Sequence, residues 1–339
     1  MINLDFEIIH YVSDKIKIYS KSRKVYINYR NSFFTIKFPF KFWDFFNFSR
    51  ILRRLFRTDK CNVFLISQDP FHLVLIRQGE VFHYSFNNGL KRTLKLQNCR
   101  NILHVDICKS KSGSLFFGEY GANNDRNEVP IYKSNDKGKS WNVVYKFSKN
   151  SIKHIHCIKE DPFTGKIWTF TGDNDGECKI LISNVNFNQK EFLGDGSQKW
   201  RACDAFFLKN EVVWLMDSPN EISYSVHFNR KTKKIILGSK FNGPVWYKTK
   251  VDDYYICASS VEPGYSVSYG YSDLLISKNL LDWKIIKRYK KDNYNIDFFK
   301  YGVISFPQGN NQISNFYFFG EALKNIDGKV ITINLENAY

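Results

Sequence analysis

The stretch "SNDKGKSW", Ser134–Trp141, follows the apolar run "VPIY" and ends on the first residue of a second run, "WNVVYKF". An Asp followed closely by a Gly between two such runs predicts a β-hairpin turn. The Asp136 side chain can accept hydrogen bonds from the turn backbone, and Gly138 tolerates the positive φ that tight turns need. Trp141 would then fold back over the turn. The stretch therefore predicts a locked hairpin between two strands.

The spacing of Ser134, Asp136, Gly138 and Trp141 resembles the Asp-box, S-x-D-x-G-x-x-W, of sialidase-like β-propellers and other BNR-repeat proteins. In that superfamily the box joins the third and fourth strands of a blade, on the face away from the substrate. The resemblance implies a β-propeller, a structural role for these four residues and glycans as the substrate class. The chain has no Arg-Ile-Pro motif, which true sialidases carry, and this departure argues against sialidase activity itself.

Similar segments recur along the chain at the spacing of propeller blades. Each is an apolar strand that ends near an acidic residue and is followed by a second strand, as in "SLFFGEYG" (114–121), "KIWTFTGDND" (166–175) and "FYFFGEAL" (316–323). Alternating apolar residues with frequent turn signals are typical of a sandwich or a propeller. Four strands per unit place blades near residues 61–98, 99–148, 151–194, 199–238, 243–290 and 294–335.

We therefore expect an all-β fold, a single β-propeller domain over residues 1–339, with six blades favoured and seven as the alternative. The last unit has only three clear strands, so the N-terminal strands within residues 5–40 are expected to close the ring. If these strands form a blade of their own, the count is seven. A helical insertion at residues 42–58 interrupts the β pattern.

This insertion contains "FWDFFNFSRILRRLFR", Phe42–Arg57, which predicts an amphipathic helix. One face of the helix is apolar and holds Phe45, Phe48, Leu52, Leu55 and Phe56. Another face is basic and holds Arg50, Arg53, Arg54 and Arg57. Two interpretations stay open. The helix packs on the propeller with its arginines in solvent, or it makes peripheral contact with an anionic membrane.

The formal net charge of +17 favours an anionic partner. An anionic oligo- or polysaccharide fits the resemblance above, although a Lys-rich composition without a particular partner is the alternative. Nucleic acid is not expected, because no compact basic stripe with interleaved aromatic residues occurs beyond residues 50–57.

Cysteine usage and hydropathy address the compartment. The seven cysteines are scattered without a CxxC pair, which is typical of free thiols in a reducing cytoplasm. The first twenty residues lack the apolar core of a signal peptide, and no apolar run is long enough to cross a membrane. We expect a cytoplasmic protein, with a peripheral membrane location as the alternative.

Propeller geometry brings candidate functional residues to one mouth of the central channel. The first strand of a blade begins at the same mouth where the second strand ends. The predicted catalytic residues at these positions are Glu119, His154, His156, Asp173 and Asp217. The predicted substrate-binding residues are Gln198, Trp200, Arg201 and Glu321. Carboxylates, histidines and an arginine on one mouth form an inventory suited to catalysis.

Each of these residues also has a structural alternative. The acidic residues can cap turns, and Arg201 can either grip a substrate carboxylate or tie two blades together by an ion pair. The pair His154 and His156 with a carboxylate can bind a divalent transition metal, but the sequence identifies no third ligand. No cofactor is therefore required, and a divalent metal is an open alternative.

The function that this inventory favours is a carbohydrate-active enzyme on an anionic glycan. A glycoside hydrolase needs two carboxyl groups across the scissile bond. A polysaccharide lyase instead needs a base such as His or Tyr, with Arg or a metal neutralising the uronate carboxylate. The alternative is a non-catalytic propeller that binds a glycan or a protein, because propellers often serve as scaffolds.

Overall fold

The computed structural model describes residues 6–104, 106–265, 267 and 270–338, and it shows seven β-sheets. The first two sheets comprise β1 (Ile8–Val12), β2 (Ile16–Lys21), β3 (Lys24–Tyr29), β4 (Ser32–Lys37), β5 (Asn62–Gln68), β6 (Phe71–Arg77), β7 (Glu80–Ser85) and β8 (Gly89–Lys95). The next two comprise β9 (Cys108–Lys109), β10 (Leu115–Gly118), β11 (Val129–Ser134), β12 (Asn142–Phe147), β13 (His154–Glu160), β14 (Ile167–Gly172), β15 (Cys178–Ser183) and β16 (Lys190–Gly196).

The remaining three sheets comprise β17 (Ala202–Phe207), β18 (Glu211–Met216), β19 (Tyr224–Asn229), β20 (Ile235–Lys240), β21 (Val245–Val251), β22 (Tyr254–Ser259), β23 (Tyr271–Ser277), β24 (Lys284–Lys290), β25 (Val303–Ser305), β27 (Phe316–Glu321) and β28 (Lys329–Ile333). The two-residue strand β26 (Gln308–Gly309) joins the first sheet. The helices are α1 (Arg50–Phe56), α2 (Ile296–Phe299) and the short 3-10 turns Phe42–Phe46 and Gln198–Trp200.

Each sheet is a propeller blade, and burial falls from the inner to the outer strand. All six residues of β14, "IWTFTG", are buried, because neighbouring blades cover both faces of this strand. The outermost strand of the same blade, β16, is mostly exposed or half-buried. The core therefore lies between adjacent blades, and the all-β propeller expected from the sequence is confirmed.

The favoured count of six blades is wrong, and the alternative of seven is correct. The N-terminal strands β1–β4 form a blade of their own instead of completing the last one, which keeps three strands. The ring closes through β26, which pairs in parallel with β1 at Tyr11–Gln308 and Val12–Gly309. The sequence pattern missed this closure because a strand of two residues has no visible periodicity.

The Ser134–Trp141 stretch forms the turn between β11 and β12, the third and fourth strands of their blade. The backbone N–H of Gly138 donates to Ser134 Oγ at 2.8 Å, and the N–H of Ser140 donates to Asp136 Oδ1 at 2.9 Å. Gly138 has a φ of +88°, and a Cβ there would lie 2.3 Å from Val74 of the preceding blade. Trp141 donates its indole N–H to Thr93 of that same blade. The turn therefore joins two blades.

The segment Phe42–Arg57 is helical in two pieces, but its polarity is the reverse of the sequence-based expectation. Arg53 and Arg54 are buried, and they pair with Glu7 and with Asp292. The expectation that the arginines face solvent is thus wrong for Arg53 and Arg54. The helical periodicity separated the two faces correctly. It could not show which face is buried, because the acidic partners lie far away in the sequence.

The predicted apolar face is only partly exposed: its first two residues, Phe45 and Phe48, face solvent, and the other three, in α1, are half-buried. Phe40, Phe42, Trp43, Phe45 and Phe48 are between 46% and 81% exposed, and we call these five residues the aromatic patch. Across the described residues, no helix combines the length and the apolar content needed to cross a bilayer.

Candidate functional site

The central channel has two mouths with different chemistry. We call the end where β13 and β17 begin the upper mouth, and the end where these strands finish the lower mouth. Because strands alternate in direction within a blade, β14 and β18 end at the upper mouth. The turn Ser134–Trp141 lies at the lower end of its blade, as the sequence predicted from the strand order.

Three of the predicted catalytic side chains meet at the upper mouth, and we call them the His–Asp cluster. His154 and His156 lie on β13, and Asp173 follows β14 directly. The Nε2 atoms of the two histidines are 3.0 Å apart. Asp173 Oδ1 is 3.2 Å from His154 Nε2 and 3.0 Å from His156 Nε2. A β-bulge at His156 interrupts the pairing of β13 with β14, and the Asp173 carboxylate at the end of β14 lies within 3.2 Å of both imidazoles.

Backbone carbonyls hold the opposite nitrogen of each imidazole. His154 Nδ1 is 2.7 Å from the carbonyl oxygen of Gly121, and His156 Nδ1 is 3.1 Å from that of Ala202. Burial lowers the pKa of His154 more than the bond to Asp173 raises it, so this imidazole is neutral near pH 7.

Two cationic side chains complete the surroundings of Asp173. Arg201 donates to Asp173 Oδ1 at 3.1 Å and to Asp217 Oδ2 at 3.3 Å, so it links the two carboxylates. Lys153 Nζ donates to Asp173 Oδ2 at 2.6 Å. Arg201 is 5% exposed. Arg201 thus joins two blades through its ion pair with Asp173, which is one of the two roles that the sequence left open. A substrate carboxylate could bind the guanidinium only while Asp173 and Asp217 remain bound to it.

Three further groups lie beside the cluster: the Tyr120 ring, the Glu262 carboxyl with its raised pKa, and the Asp217 carboxylate. The Tyr120 ring packs on the His154 ring with centroids 4.2 Å apart. Burial and the nearby Asp217 carboxylate raise the pKa of Glu262 to about 8, so this carboxyl carries a proton at neutral pH. Among the described residues, Glu262 Oε2 and Asp217 Oδ1 have no hydrogen-bond partner. The upper mouth therefore holds both a protonated carboxyl and a phenol.

Six of the nine predicted site residues are not members of the cluster; Arg201 and Asp217 adjoin it, and the other four have different surroundings. The carboxylate of Glu119 accepts hydrogen bonds from the backbone N–H groups of Gln97 and Asn98 and from the Tyr132 hydroxyl. It therefore caps a loop, as its structural alternative anticipated. Glu321 pairs with Lys60 at 2.5 Å, in a separate group of charges.

The other two residues support the cluster from behind. Gln198 donates to the backbone oxygen of Asp173 at 3.0 Å and is buried. The Trp200 ring packs against Trp214, with ring centroids 5.3 Å apart. The geometry thus places Gln198 next to the loop that carries Asp173 and Trp200 against β18, and neither reaches the Asp173 carboxylate among the contacts described.

The sequence analysis did not select Tyr120 or Cys203. Tyr120 directly follows Glu119 at a strand end, so the strand-end rule that selected Glu119 would have found it. The Cys203 thiol donates to Asp217 Oδ2 at 3.2 Å. Its position two residues after Arg201 on a channel strand was the available signal.

The lower mouth opens into a cavity of about 450 Å³ that we call the lysine pocket. Lys109, Lys159, Lys248 and Lys250 line it together with the aromatic rings of Phe206, Phe207 and Tyr255. The carboxylates in its wall are Asp204 and Glu160, so four ammonium groups face two carboxylates. The sequence analysis did not predict this pocket, because its lysines lie at first-strand ends of three different blades.

Ion pairs with one carboxylate organise the deeper part of the lysine pocket. Asp204 lies 3.4 Å from Lys248 Nζ and 3.6 Å from Lys159 Nζ. Burial lowers the pKa of Lys248, and the nearby Lys159 charge adds to this effect while Asp204 opposes it. The pocket therefore keeps a surplus of positive charge in a partly desolvated space, which suits an anionic ligand.

Comparisons with known proteins support the fold. A virginiamycin B lyase from Staphylococcus aureus has a similar structure, with a TM-score of 0.59, 11% sequence identity and coverage of 98% of both chains. No protein-family model and no curated protein sequence matches the chain. The likeness supports a seven-bladed propeller, and the low identity assigns no residue of the upper mouth.

Proposed function

We propose that this protein is a carbohydrate-active enzyme that cleaves an anionic glycan by elimination at the upper mouth. The observation that carries this proposal is the joint presence of Tyr120, the His–Asp cluster and a protonated Glu262 in one buried site. The resemblance of Ser134–Trp141 to the Asp-box suggests a glycan. The solved propeller of similar fold is itself named a lyase, which is consistent with this reaction class.

The carboxylates explain why elimination is favoured over hydrolysis. Hydrolysis needs two carboxyl groups free to act on opposite sides of the scissile bond. Glu119 is held by three donors, and Asp173 by Arg201 and Lys153. Glu262 is then the one carboxyl that combines a proton with an unpartnered oxygen among the described residues of the mouth. Elimination needs a single acid together with a base of another type.

The proposed roles follow from this chemistry. The neutral imidazole of His154 removes the proton next to the uronate carboxylate, and the electron pair left behind becomes the new carbon–carbon double bond. Burial raises the pKa of Tyr120 well above its usual value, so its phenol is a proton donor in this step. The glycosidic C–O bond breaks, and Glu262 gives its proton to the departing oxygen. Arg201, which Asp173 and Asp217 hold in place, neutralises charge that develops on the substrate carboxylate.

A digest of mixed acidic polysaccharides, analysed by mass spectrometry, tests the proposal. Elimination gives a product without added water and with absorbance from the new double bond, whereas hydrolysis gives a product heavier by one water. We expect the unsaturated product from at least one uronate-containing polymer. If no acidic polymer yields a product of either mass, the enzymatic proposal is wrong.

The lysine pocket supports a second candidate, a non-catalytic propeller that binds an anionic glycan at the lower mouth. Its four lysines and its aromatic rings suit a sugar with negative charges, since rings stack on sugar faces while ammonium groups pair with the anions. This candidate predicts retention of the glycan on the immobilised protein with no turnover. Loss of retention in Lys248→Gln, with retention kept in Tyr120→Phe, would favour it over the enzyme.

We also propose peripheral contact with an anionic membrane through residues 42–57, carried by the aromatic patch rather than by the arginines. Exposed Phe and Trp side chains partition into the interface, and the net charge of +17 adds attraction to anionic lipid. Flotation with phosphatidylserine vesicles should decrease for Phe45→Ser with Phe48→Ser and stay unchanged for Phe192→Ser, an exposed control on β16. Equal flotation of both variants would end this proposal.

The free thiols of all seven cysteines are consistent with the cytoplasmic location proposed above.

A further inference from the structure

The two histidines of the His–Asp cluster have a fixed tautomer. A carbonyl oxygen can only accept a hydrogen bond, so the Nδ1 atoms that face Gly121 and Ala202 must carry the hydrogens. In a neutral imidazole the other nitrogen then carries a lone pair. Both Nε2 lone pairs therefore point into the cluster. This arrangement, with the remote nitrogen held by a carbonyl, is the usual support of a metal-bound histidine.

The three acceptor atoms of the cluster lie closer together than their chemistry allows without a positive group between them. The Nε2 atoms of His154 and His156 and the Oδ1 atom of Asp173 form a triangle with sides of 3.0, 3.0 and 3.2 Å. One shared proton can satisfy only one side of this triangle. Two protons would place two imidazolium N–H groups against each other across 3.0 Å.

The triangle has the dimensions of a metal site. Bonds of about 2.0–2.1 Å in a tetrahedral arrangement place neighbouring ligand atoms roughly 3.3 Å apart. The observed sides fall just below this value, and His154 and His156 are held rigidly because they are almost fully buried. Arg201 and Lys153 occupy other lone pairs of the Asp173 carboxylate, which leaves one Oδ1 lone pair for an ion.

We propose that His154 Nε2, His156 Nε2 and Asp173 Oδ1 bind a divalent transition metal ion of the Zn²⁺ class. Two imidazoles and one carboxylate favour Zn²⁺ and its neighbours over Mg²⁺ and Ca²⁺, which prefer oxygen ligands throughout. Three protein ligands leave a tetrahedral ion one position for a water or a substrate oxygen. Asp217 and Cys203, on the other side of His156, are outer-shell groups that face its Nδ1 atom.

The role of the ion rests on the proposed function, whereas the binding site rests on geometry alone. If the enzyme is a lyase, a cation at this position neutralises the uronate carboxylate, and the histidines are then ligands rather than bases. Tyr120 becomes the remaining candidate for the base, because the positive charge of the ion would favour loss of the phenol proton that burial otherwise retains. The ion also adds two positive charges to the upper mouth, where Arg201 and Lys153 otherwise balance Asp173 and Asp217.

Metal stoichiometry tests the site without any substrate. The intact protein is treated with a chelator, dialysed against ZnCl₂ and analysed for zinc per chain, in parallel with titration calorimetry. We expect one equivalent for the wild-type protein and at least a tenfold loss of affinity for His154→Ala, His156→Ala and Asp173→Asn. A matched control is His227→Ala, which breaks a histidine–carboxylate pair on β19, between His227 Nδ1 and Glu211 Oε2 at 3.2 Å.

A second control covers the close pair His72 and His83, whose ring nitrogens are 2.9 Å apart. His83→Ala should keep the full zinc equivalent. Because a cluster variant can misfold, the visible spectrum of the Co²⁺-loaded wild-type protein gives an independent readout, and we expect the intense bands of a tetrahedral site. Absence of zinc binding by the wild type, or one equivalent retained in both His154→Ala and His156→Ala, would overturn the proposal. Zinc binding without turnover would keep the metal site and contradict the proposed function, and turnover without metal binding would do the reverse.

Discussion

The two mouths of the channel differ in the way they hold charge. At the upper mouth, Arg201 and Lys153 are tied to Asp173 and Asp217, and the histidines are almost completely buried. At the lower mouth, four lysines line an open cavity of about 450 Å³ with two carboxylates between them. Paired and buried charges suit chemistry, because their positions and pKa values are fixed. Surplus charge around an open cavity suits attraction of a ligand.

Neither the size of a cavity nor net charge alone therefore assigns the mouth that we propose to be reactive. Glu262, whose pKa is raised to about 8, and the unpartnered oxygen atoms of Glu262 and Asp217 lie at the upper mouth, whereas the cavity of about 450 Å³ lies at the lower mouth. The four lysines at the lower mouth carry only a small part of the positive charge that gives the chain its net charge of +17. The comparison can be tested at each mouth separately.

The largest expected effect is on stability, from removal of the cation that joins the upper carboxylates. Arg201→Ala leaves Asp173 and Asp217 buried without this partner, so the free energy of unfolding should fall by about 3–5 kcal/mol. Lys250→Ala at the lower mouth, where the side chain is exposed, should cost less than about 1 kcal/mol. Urea unfolding of the two variants measures both values. Equal losses of stability in the two variants would contradict the claim that the charges of the upper mouth are more deeply buried than those of the lower mouth.

The next effect concerns pH and a single carboxyl at the upper mouth. The folded-state pKa of Glu262 is about 8, against an ordinary value of 4.5. Between these pH values the folded protein holds a proton that the unfolded chain has lost, so stability falls as pH rises through this window. Glu262→Gln should abolish this contribution and be more stable than the wild type above pH 8.

Melting temperatures measured from pH 5 to pH 9 check this prediction, with Glu221→Gln as the control. Parallel curves for the wild type and Glu262→Gln would show that Glu262 is ionised in the folded protein, and the role of proton donor would then be lost.

A smaller effect is expected at the lower mouth. Lys248→Gln and Lys250→Gln remove cations of the lysine pocket, so each should weaken binding of a sulfated or uronate oligosaccharide about tenfold, in the range of a charge-assisted bond. The loss should shrink at high salt. Calorimetric titration, with the exposed Lys231→Gln as control, measures it. If Lys231→Gln weakens binding equally, the attraction is a property of the overall charge and the pocket is not a site.

The smallest effect is expected from the turn that lies at the lower end of its blade. Asp136→Ala removes two hydrogen bonds from Ser140 and one from Ser134, and the free energy of unfolding should fall by about 1–2 kcal/mol. Oligosaccharide binding at both mouths should not change. A change in either binding constant at full folding would assign the turn a role beyond architecture.

The positions of strand ends could be predicted from the sequence, but local irregularities could not. His154 and Asp173 lie close together because antiparallel neighbours begin and end at the same edge, whereas the position of His156 also depends on a β-bulge in β13 that a two-residue period does not predict. The seventh blade was not favoured, since its closure depends on the two residues of β26.

Ion-pair partners were also beyond the sequence pattern. Arg54 meets Asp292 across most of the chain length, and Lys159 meets Asp204 from another blade. Periodicity reports which residues share a face. It does not report which distant charge covers that face, and both the buried arginines and the lysine pocket depend on such pairs.

The most direct test of the central claim compares one tyrosine at each mouth. Tyr120→Phe at the upper mouth and Tyr255→Phe at the lower mouth remove the same hydroxyl group, and absorbance of the unsaturated product from a uronate polysaccharide reports turnover. We expect the rate to be at least a hundredfold lower for Tyr120→Phe, which is the scale of a lost acid–base group. The rate of Tyr255→Phe should be nearly unchanged. A folded Tyr120→Phe protein with the wild-type rate, or a Tyr255→Phe protein that loses turnover instead, would contradict the claim that the upper mouth is the reactive end.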